Sequence, residues 1–177
     1  MDALLESLYQ FCLEHRKKHS CGAVPYQNGK FLIDLVSSIK AKKILEVGTG
    51  VGYSTVCMCL GNNEATVETI DKDAIHISLA KENCDKLGLS ERVLFHESSA
   101  EDIFPKLTGP YDLIFYDGNT PQKKFVAQFE RLLKKGGIAL SANLFLSDPS
   151  GGGYLKLLQD GRWDTKIEGD TAISVKL

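Results

Sequence analysis

Ile44 to Thr55 reads ILEVGTGVGYST: an apolar run broken by one glutamate, glycines at 48, 50 and 52, and then the start of a segment of helical period. That order predicts a buried strand, a sharp turn and a helix whose N-terminus faces the turn. Glycine permits the bend and lets a ligand come close to the backbone, and the first free amides of the helix point the same way. The spacing G-x-G-x-G differs by one residue from the dinucleotide fingerprint G-x-G-x-x-G. By themselves, Gly48, Gly50 and Gly52 therefore indicate a ligand turn without naming the ligand.

Working outward, the same alternation repeats. Strand-like runs are KKILEV before the glycines, ATVETID ending at Asp71, RVLFHES ending near Ser98, YDLIFYD ending at Asp117, and GIALSANL from Gly137. Helical stretches fall between them at Tyr53 to Leu60, Ala74 to Leu87, Ala100 to Leu107 and Lys123 to Lys134. Such βαβ units build a parallel sheet with helices on both faces. Upstream, Leu4, Leu5, Leu8, Phe11 and Cys12 share one face of a first helix ending in the basic run His15 to His19, and a second helix covers Gly29 to Ile39. Downstream, a Gly151–Gly153 loop and a short helix through Leu158 lead to WDTKIEGDTAISVKL, two strand-like runs about Gly169-Asp170. A connection that tight predicts a closing antiparallel hairpin.

With 177 residues, 43% hydrophobic and 25% charged, the chain suits one domain over residues 1–177, with N-terminal helices to residue 40 and the α/β core from 41. A net charge of -2 sets up no general field for nucleic acid or an anionic membrane. Five scattered cysteines, mostly in apolar segments, argue against a disulfide framework or a zinc site. The N-terminus carries acids where a secretion signal carries basic residues, and no apolar stretch approaches a membrane span, so a reduced, cytoplasmic protein is expected.

Acids at successive strand ends narrow the ligand. Asp71 is placed to accept hydrogen bonds from a ribose diol, which suits NAD and other adenosyl ligands alike. Glu46, just before the turn, would repel a pyrophosphate but can receive a cationic amino group. The two together imply an adenosine that carries an amino acid. A second reading makes Asp71 an N-cap of the next helix and Asp117 a turn at its strand end.

Val24 to Ser54, VPYQNGKFLIDLVSSIKAKKILEVGTGVGYS, resembles the catechol O-methyltransferase-like family of S-adenosylmethionine-dependent methyltransferases. The family's E-x-G-x-x-x-G-Y-S is present as Glu46, Gly48, Gly52, Tyr53 and Ser54, preceded by Gly29 in the helix before the first strand. Its Y-D-x-I-F-x-D is present as Tyr111 to Asp117, and its L-L-K-x-G-G as Leu132 to Gly137. The resemblance implies a Rossmann-like, seven-stranded, mostly parallel sheet with its last strand antiparallel. It also implies a cofactor site: Val24, Gly48 and Ser54 near the methionine moiety, Glu46 toward its amino group, Asp71 on the ribose, and Ser99 and Ala100 about the adenine. Thr49, Gly50, Gly52, Tyr53, Lys72 and Asp117 complete that expected set.

The catalytic end departs from the family pattern. Members commonly hold a divalent metal with an aspartate after the fourth strand and an Asp-Asn pair after the fifth. Asp117 and Asn143 match two of these positions, but Ala142 stands at the third, and Thr120 replaces a lysine that serves as general base. A hard cation such as magnesium would keep one carboxylate and one amide, with Asn119 and Asp148 as neighbours that could compensate. Tight metal binding is therefore disfavoured. Asp117 and Asn143 are the expected catalytic pair, with Asp117 positioning the acceptor or taking its proton. Lys123 and Lys124 are assigned to a solvated helix face.

The expected reaction is O-methylation of a small molecule or a modified nucleoside. A short loop, Ser147 to Gly153, leaves room for a large acceptor, and the basic run His15 to His19 makes RNA a candidate, although no aromatics interleave with it. A homodimer through the first helix is a further candidate. Two other readings are a nicotinamide-dependent oxidoreductase, opposed by the glycine spacing, Glu46 and the antiparallel tail, and a binding protein that has lost catalysis, suggested by Ala142 and Thr120.

Overall fold

The computed structural model describes residues 2–118, 122–144 and 153–177. Strands β1 (Lys43–Val47), β2 (Thr66–Asp71), β3 (Val93–Glu97), β4 (Tyr111–Tyr116), β5 (Leu133–Ser141), β6 (Trp163–Glu168) and β7 (Thr171–Lys176) form one sheet in the order β3-β2-β1-β4-β5-β7-β6. The first five are parallel, and β7 runs antiparallel to both β5 and β6. Glu168 pairs with Thr171 across Gly169-Asp170, and Gly169 takes φ +59°, so the expected hairpin is present. Strand order reverses between β1 and β4, which opens the crevice where ligands bind in open α/β sheets.

The sheet buries both faces. Ile44 and Leu45, successive in β1, are each wholly buried in opposite layers. Ile44 joins Leu32, Val36, Val56 and Phe115 under α2 (Gly29–Ser38) and α3 (Tyr53–Gly61), while Leu45 joins Ile70, Ile114 and Phe129 under α6 (Lys123–Leu132). A strand buried on both sides reads as the continuous apolar run seen in the sequence, without alternation. Asn28 caps α2 by accepting from the Phe31 amide, and Gly29 then passes so near α3 that a Cβ there would lie 2.9 Å from Cys57 Sγ. Close helix contact accounts for that glycine.

One buried face and two boundaries differ from expectation. α1 (Asp2–His19) buries Leu8, Cys12 and His15, whereas Leu4 and Phe11 are exposed, so its inward stripe is narrower than predicted and includes a histidine. The helix expected over Ala100 to Leu107 is α5 (Ala100–Ile103) followed by a 3-10 turn, Phe104–Lys106. Pro105 has no amide to donate into an α-helix, which explains the change. Finally, β5 begins at Leu133 rather than Gly137, and its register on β4 breaks between Tyr111 and Leu113. Leu132 and Leu133 are both buried, and consecutive buried positions suit a helix passing directly into a strand. α4 (Ala74–Lys86) and α7 (Gly153–Leu157) complete the framework. No helix among the described residues is long and apolar enough to cross a membrane.

Candidate active site

The carboxyl edge of β1, β2 and β4 sets Glu46, Asp71 and Asp117 in three different environments. Glu46 is wholly buried beneath the glycine turn. Its carboxylate accepts from Ser54 Oγ at 2.5 Å, Thr55 Oγ1 at 2.5 Å and Thr69 Oγ1 at 2.7 Å. Thr69 spends its single proton on Glu46, so Thr49 Oγ1, 2.6 Å away, donates to Thr69. Burial pushes Glu46 up to about 7 against the pull of these three hydroxyls. The Glu46 side chain, expected toward a ligand's amino group, lies under the cavity wall and ties β1, β2 and α3 together. Three hydroxyl donors from separate elements satisfy it, a pattern that local sequence does not reveal.

Asp71 is the opposite case. Gly50 donates its amide to Oδ2 at 2.9 Å, Asp73 donates to Oδ1 at 3.0 Å, and His76 Nδ1 lies 3.5 Å from Oδ2. Burial raises its pKa, but His76 and the two amides outweigh that and hold the carboxyl below the usual range. Asp71 is thus anionic with lone pairs toward the cavity. Asp73, not Asp71, caps α4, accepting from Ile75 and His76.

Asp117 lies on the cavity wall after β4. Burial, with the Glu46 charge adding to it, pushes its carboxyl up to about 8, while Asn143 Nδ2 donates to Oδ1 at 2.8 Å and opposes the shift. The same Asn143 nitrogen reaches Gly118 O at 3.1 Å, and its backbone takes φ +60°, a conformation asparagine tolerates. Gly48 brings the first turn against this wall. It sits at φ +100°, and a Cβ would come 2.5 Å from Asp117 O, so both backbone angle and space require glycine.

These groups enclose one cavity of about 630 Å³. Its walls include Val24, Gly48, Thr49, Gly50 and Tyr53, with Ser54 behind them. Asp71, Lys72, Ser99 and Ala100 line the β2–β3 side, and Asp117 and Asn143 the β4–β5 side. Every expected site residue except Glu46 and Gly52 is therefore on this cavity; Gly52 is the N-cap of α3, facing Ala80. Ser99 caps α5 through its hydroxyl. The sequence reading missed Tyr26, Gln122 and Phe125, which also line the cavity, and Cys21 and His76, of which His76 contacts Asp71. Tyr26 carries no motif; its ring packs edge-on to Phe115 and its hydroxyl lies 3.4 Å from Thr171 Oγ1, 145 residues away.

Asp117 and Asn143 are the two expected metal donors within the described residues. Asn143 turns its nitrogen to Asp117, and Ala142 is 3% exposed with its methyl in the core. Among the described residues, no third acid joins these two as a metal-binding group. The described donors at this position are thus one carboxylate and one amide. Asn119, Thr120, Asp148 and the Ser147–Gly152 part of the loop lie outside the described residues. Lys123 and Lys124 are exposed on α6 as expected, and Lys124 pairs with Glu101 at 2.9 Å. In the basic run only His15 turns inward; Arg16 to His19 are exposed.

A switch-point cavity with a glycine turn and acids at the strand ends marks a ligand-binding α/β protein of the open-sheet class. The model of the O-methyltransferase family matches residues 1–147, and the chain belongs to that family. A catechol O-methyltransferase of Niastella koreensis is 32% identical over 153 residues, 83% of this chain and 66% of that protein. One from Mycobacterium tuberculosis is 33% identical over 136 residues, 75% and 60% of the respective chains. The chain thus spans less than two thirds of the length of these relatives. In fold it is similar to a Bacillus cereus O-methyltransferase solved with S-adenosylhomocysteine, TM-score 0.84 at 23% identity, covering 100% of this chain and 92% of that one. The O-methyltransferase of tomaymycin synthesis from Streptomyces achromogenes, solved with S-adenosylmethionine, superimposes with TM-score 0.86 at 21% identity over 100% and 90%.

Proposed function

We propose that this protein is an S-adenosylmethionine-dependent O-methyltransferase acting on a small hydroxyl-bearing acceptor. The observation that carries the reading is the placement of Asp71, held anionic, and Asp117, held short of solvation, on one cavity on either side of the Gly48 turn. Bound S-adenosylmethionine supplies an activated methyl group on a sulfonium. Asp71 accepts from the ribose hydroxyls, and the turn amides approach the amino-acid end closely because Gly48 and Gly50 have no side chains. Asp117 faces the cationic end: a carboxylate short of partners gains most from a positive charge, and that charge in turn favours its ionised form.

The acceptor enters between Asp117, Tyr26 and Phe125, where apolar ring surfaces exclude water and align its oxygen. Asp117 then holds the acceptor hydroxyl and takes its proton as the methyl moves to oxygen. Asn143 orients Asp117 throughout. No step is assigned to a metal.

Calorimetric titration with S-adenosylhomocysteine, followed by transfer of labelled methyl to a panel of phenols and catechols, tests the proposal. Stoichiometric binding with turnover on a hydroxyl acceptor is expected. A protein that binds no S-adenosylhomocysteine would show that the reading of the turn is wrong.

A further inference from the structure

At the rim opposite Asp117, three segments distant in sequence converge. His15 near the end of α1, Cys21 in the segment after it and His76 in the first turn of α4 bring one ligand atom each to within 4.8 Å of one another. Among the described residues this is the one such group of three. The two histidines are each 7% exposed and the cysteine is half-buried, so the cluster is built into the fold. The His15 and His76 rings meet edge to face at 5.4 Å between centroids.

His76 gives the cluster its direction. Nδ1 faces Asp71 Oδ2 at 3.5 Å, the Cys21 thiol interacts with the same imidazole, and Nε2 is buried without a full hydrogen bond, 3.8 Å from Asp73 Oδ2. One imidazole nitrogen set by a carboxylate and the other left open is the arrangement that orients a metal-binding histidine.

We propose that His15, Cys21 and His76 form a transition-metal site of the zinc class that ties the end of α1 and the segment after it to α4. A thiolate with two imidazoles selects zinc or a similar borderline ion over magnesium or calcium. Asp73, or a water, completes the tetrahedron. The ion displaces the protons of Cys21 and of His76. Its position also has a consequence for the cavity: Cys21 lines it and His76 contacts Asp71, so the clamp holds the wall beside Asp71.

The test uses the full chain, freed of metal and kept reduced. Titration with zinc chloride is expected to saturate at one equivalent and to raise the thermal midpoint. Cobalt(II) is expected to give a thiolate-to-metal charge-transfer band with intense tetrahedral visible bands. Cys21→Ser should abolish the charge-transfer band, weaken zinc binding about tenfold or more, and remove the thermal shift; His76→Gln should weaken binding by about 10–100-fold. The other four cysteines are buried, so they cannot substitute without unfolding. Half-buried Cys21 has no core role, so Cys21→Ser remains decisive even if His76→Gln folds poorly. Absence of the cobalt band in the parent chain, or equal zinc affinity in Cys21→Ser, overturns the site.

Discussion

Asp71 and Asp117 end neighbouring parts of the same sheet edge, yet their environments drive them in opposite directions. Asp71 has two backbone amides and a histidine; Asp117 has one asparagine and another acid nearby. The first is an ionised acceptor before any ligand arrives. The second carries an electrostatic cost that a bound cation would relieve. One cavity thus contains a settled polar end and an unsettled one, and the unsettled end is where chemistry on a cationic donor gains most.

That contrast can be broken most forcefully at Asp117. Asp117→Asn should lower kcat/KM about 10²–10⁴-fold in a labelled-methyl assay and weaken S-adenosylmethionine, a cation at sulfur, more than S-adenosylhomocysteine. An Asn variant with near-normal turnover would remove Asp117 from the reaction. The stability effects of the two acids should also differ in sign. Asp117 has a folded pKa raised to about 8 from 3.8, so its cost grows as pH rises through that interval. At pH 8, Asp117→Asn should therefore stabilise the protein by about 1–3 kcal/mol in urea denaturation. Asp71, with its pKa depressed, contributes stability above the ordinary carboxylate range that is lost in acid. Asp71→Asn should accordingly destabilise by about 1–2 kcal/mol and weaken S-adenosylhomocysteine about tenfold or more, with kcat nearly unchanged.

Glu46 sharpens the comparison from beneath. Glu46→Gln replaces an acceptor of three hydroxyls by a group that must donate from one side, and should cost about 1–2 kcal/mol of stability with a smaller loss of cofactor affinity. A direct ligand for the amino group would reverse that ranking. The effect at His76 is expected in the pH dependence of stability. Its pKa is raised from 6.5 to about 9, chiefly by Asp71 against burial. The stability it contributes is complete below pH 6.5 and lost as pH rises through about 9, by about 1–2 kcal/mol in metal-free protein. His76→Gln should flatten that slope in denaturation curves measured at several pH values.

Much of this was legible because it is local. The turn at Gly48, the hairpin about Gly169 and the helix starts depend on residues a few positions apart, where backbone conformation and periodicity leave a mark in the order of side chains. Two features were not legible. The burial of Glu46 under hydroxyls was hidden because its partners Thr55 and Thr69 come from a different helix and strand. The inward His15 was read as one of the basic run His15 to His19, since its burial depends on where α1 lands, not on its neighbours.

By itself, the sequence determined the α/β alternation, the ligand turn, the antiparallel close and the acids at the strand ends, because each follows from short-range sterics and the periodicity of burial. Only the tertiary structure decided which of those acids is sealed, which is ionised and which is left wanting a charge. It also decided that residues 15, 21 and 76 meet. Ionisation and ligand geometry depend on the solvent removed and the dipoles supplied by segments far apart along the chain, and those distances exist only once the chain has folded.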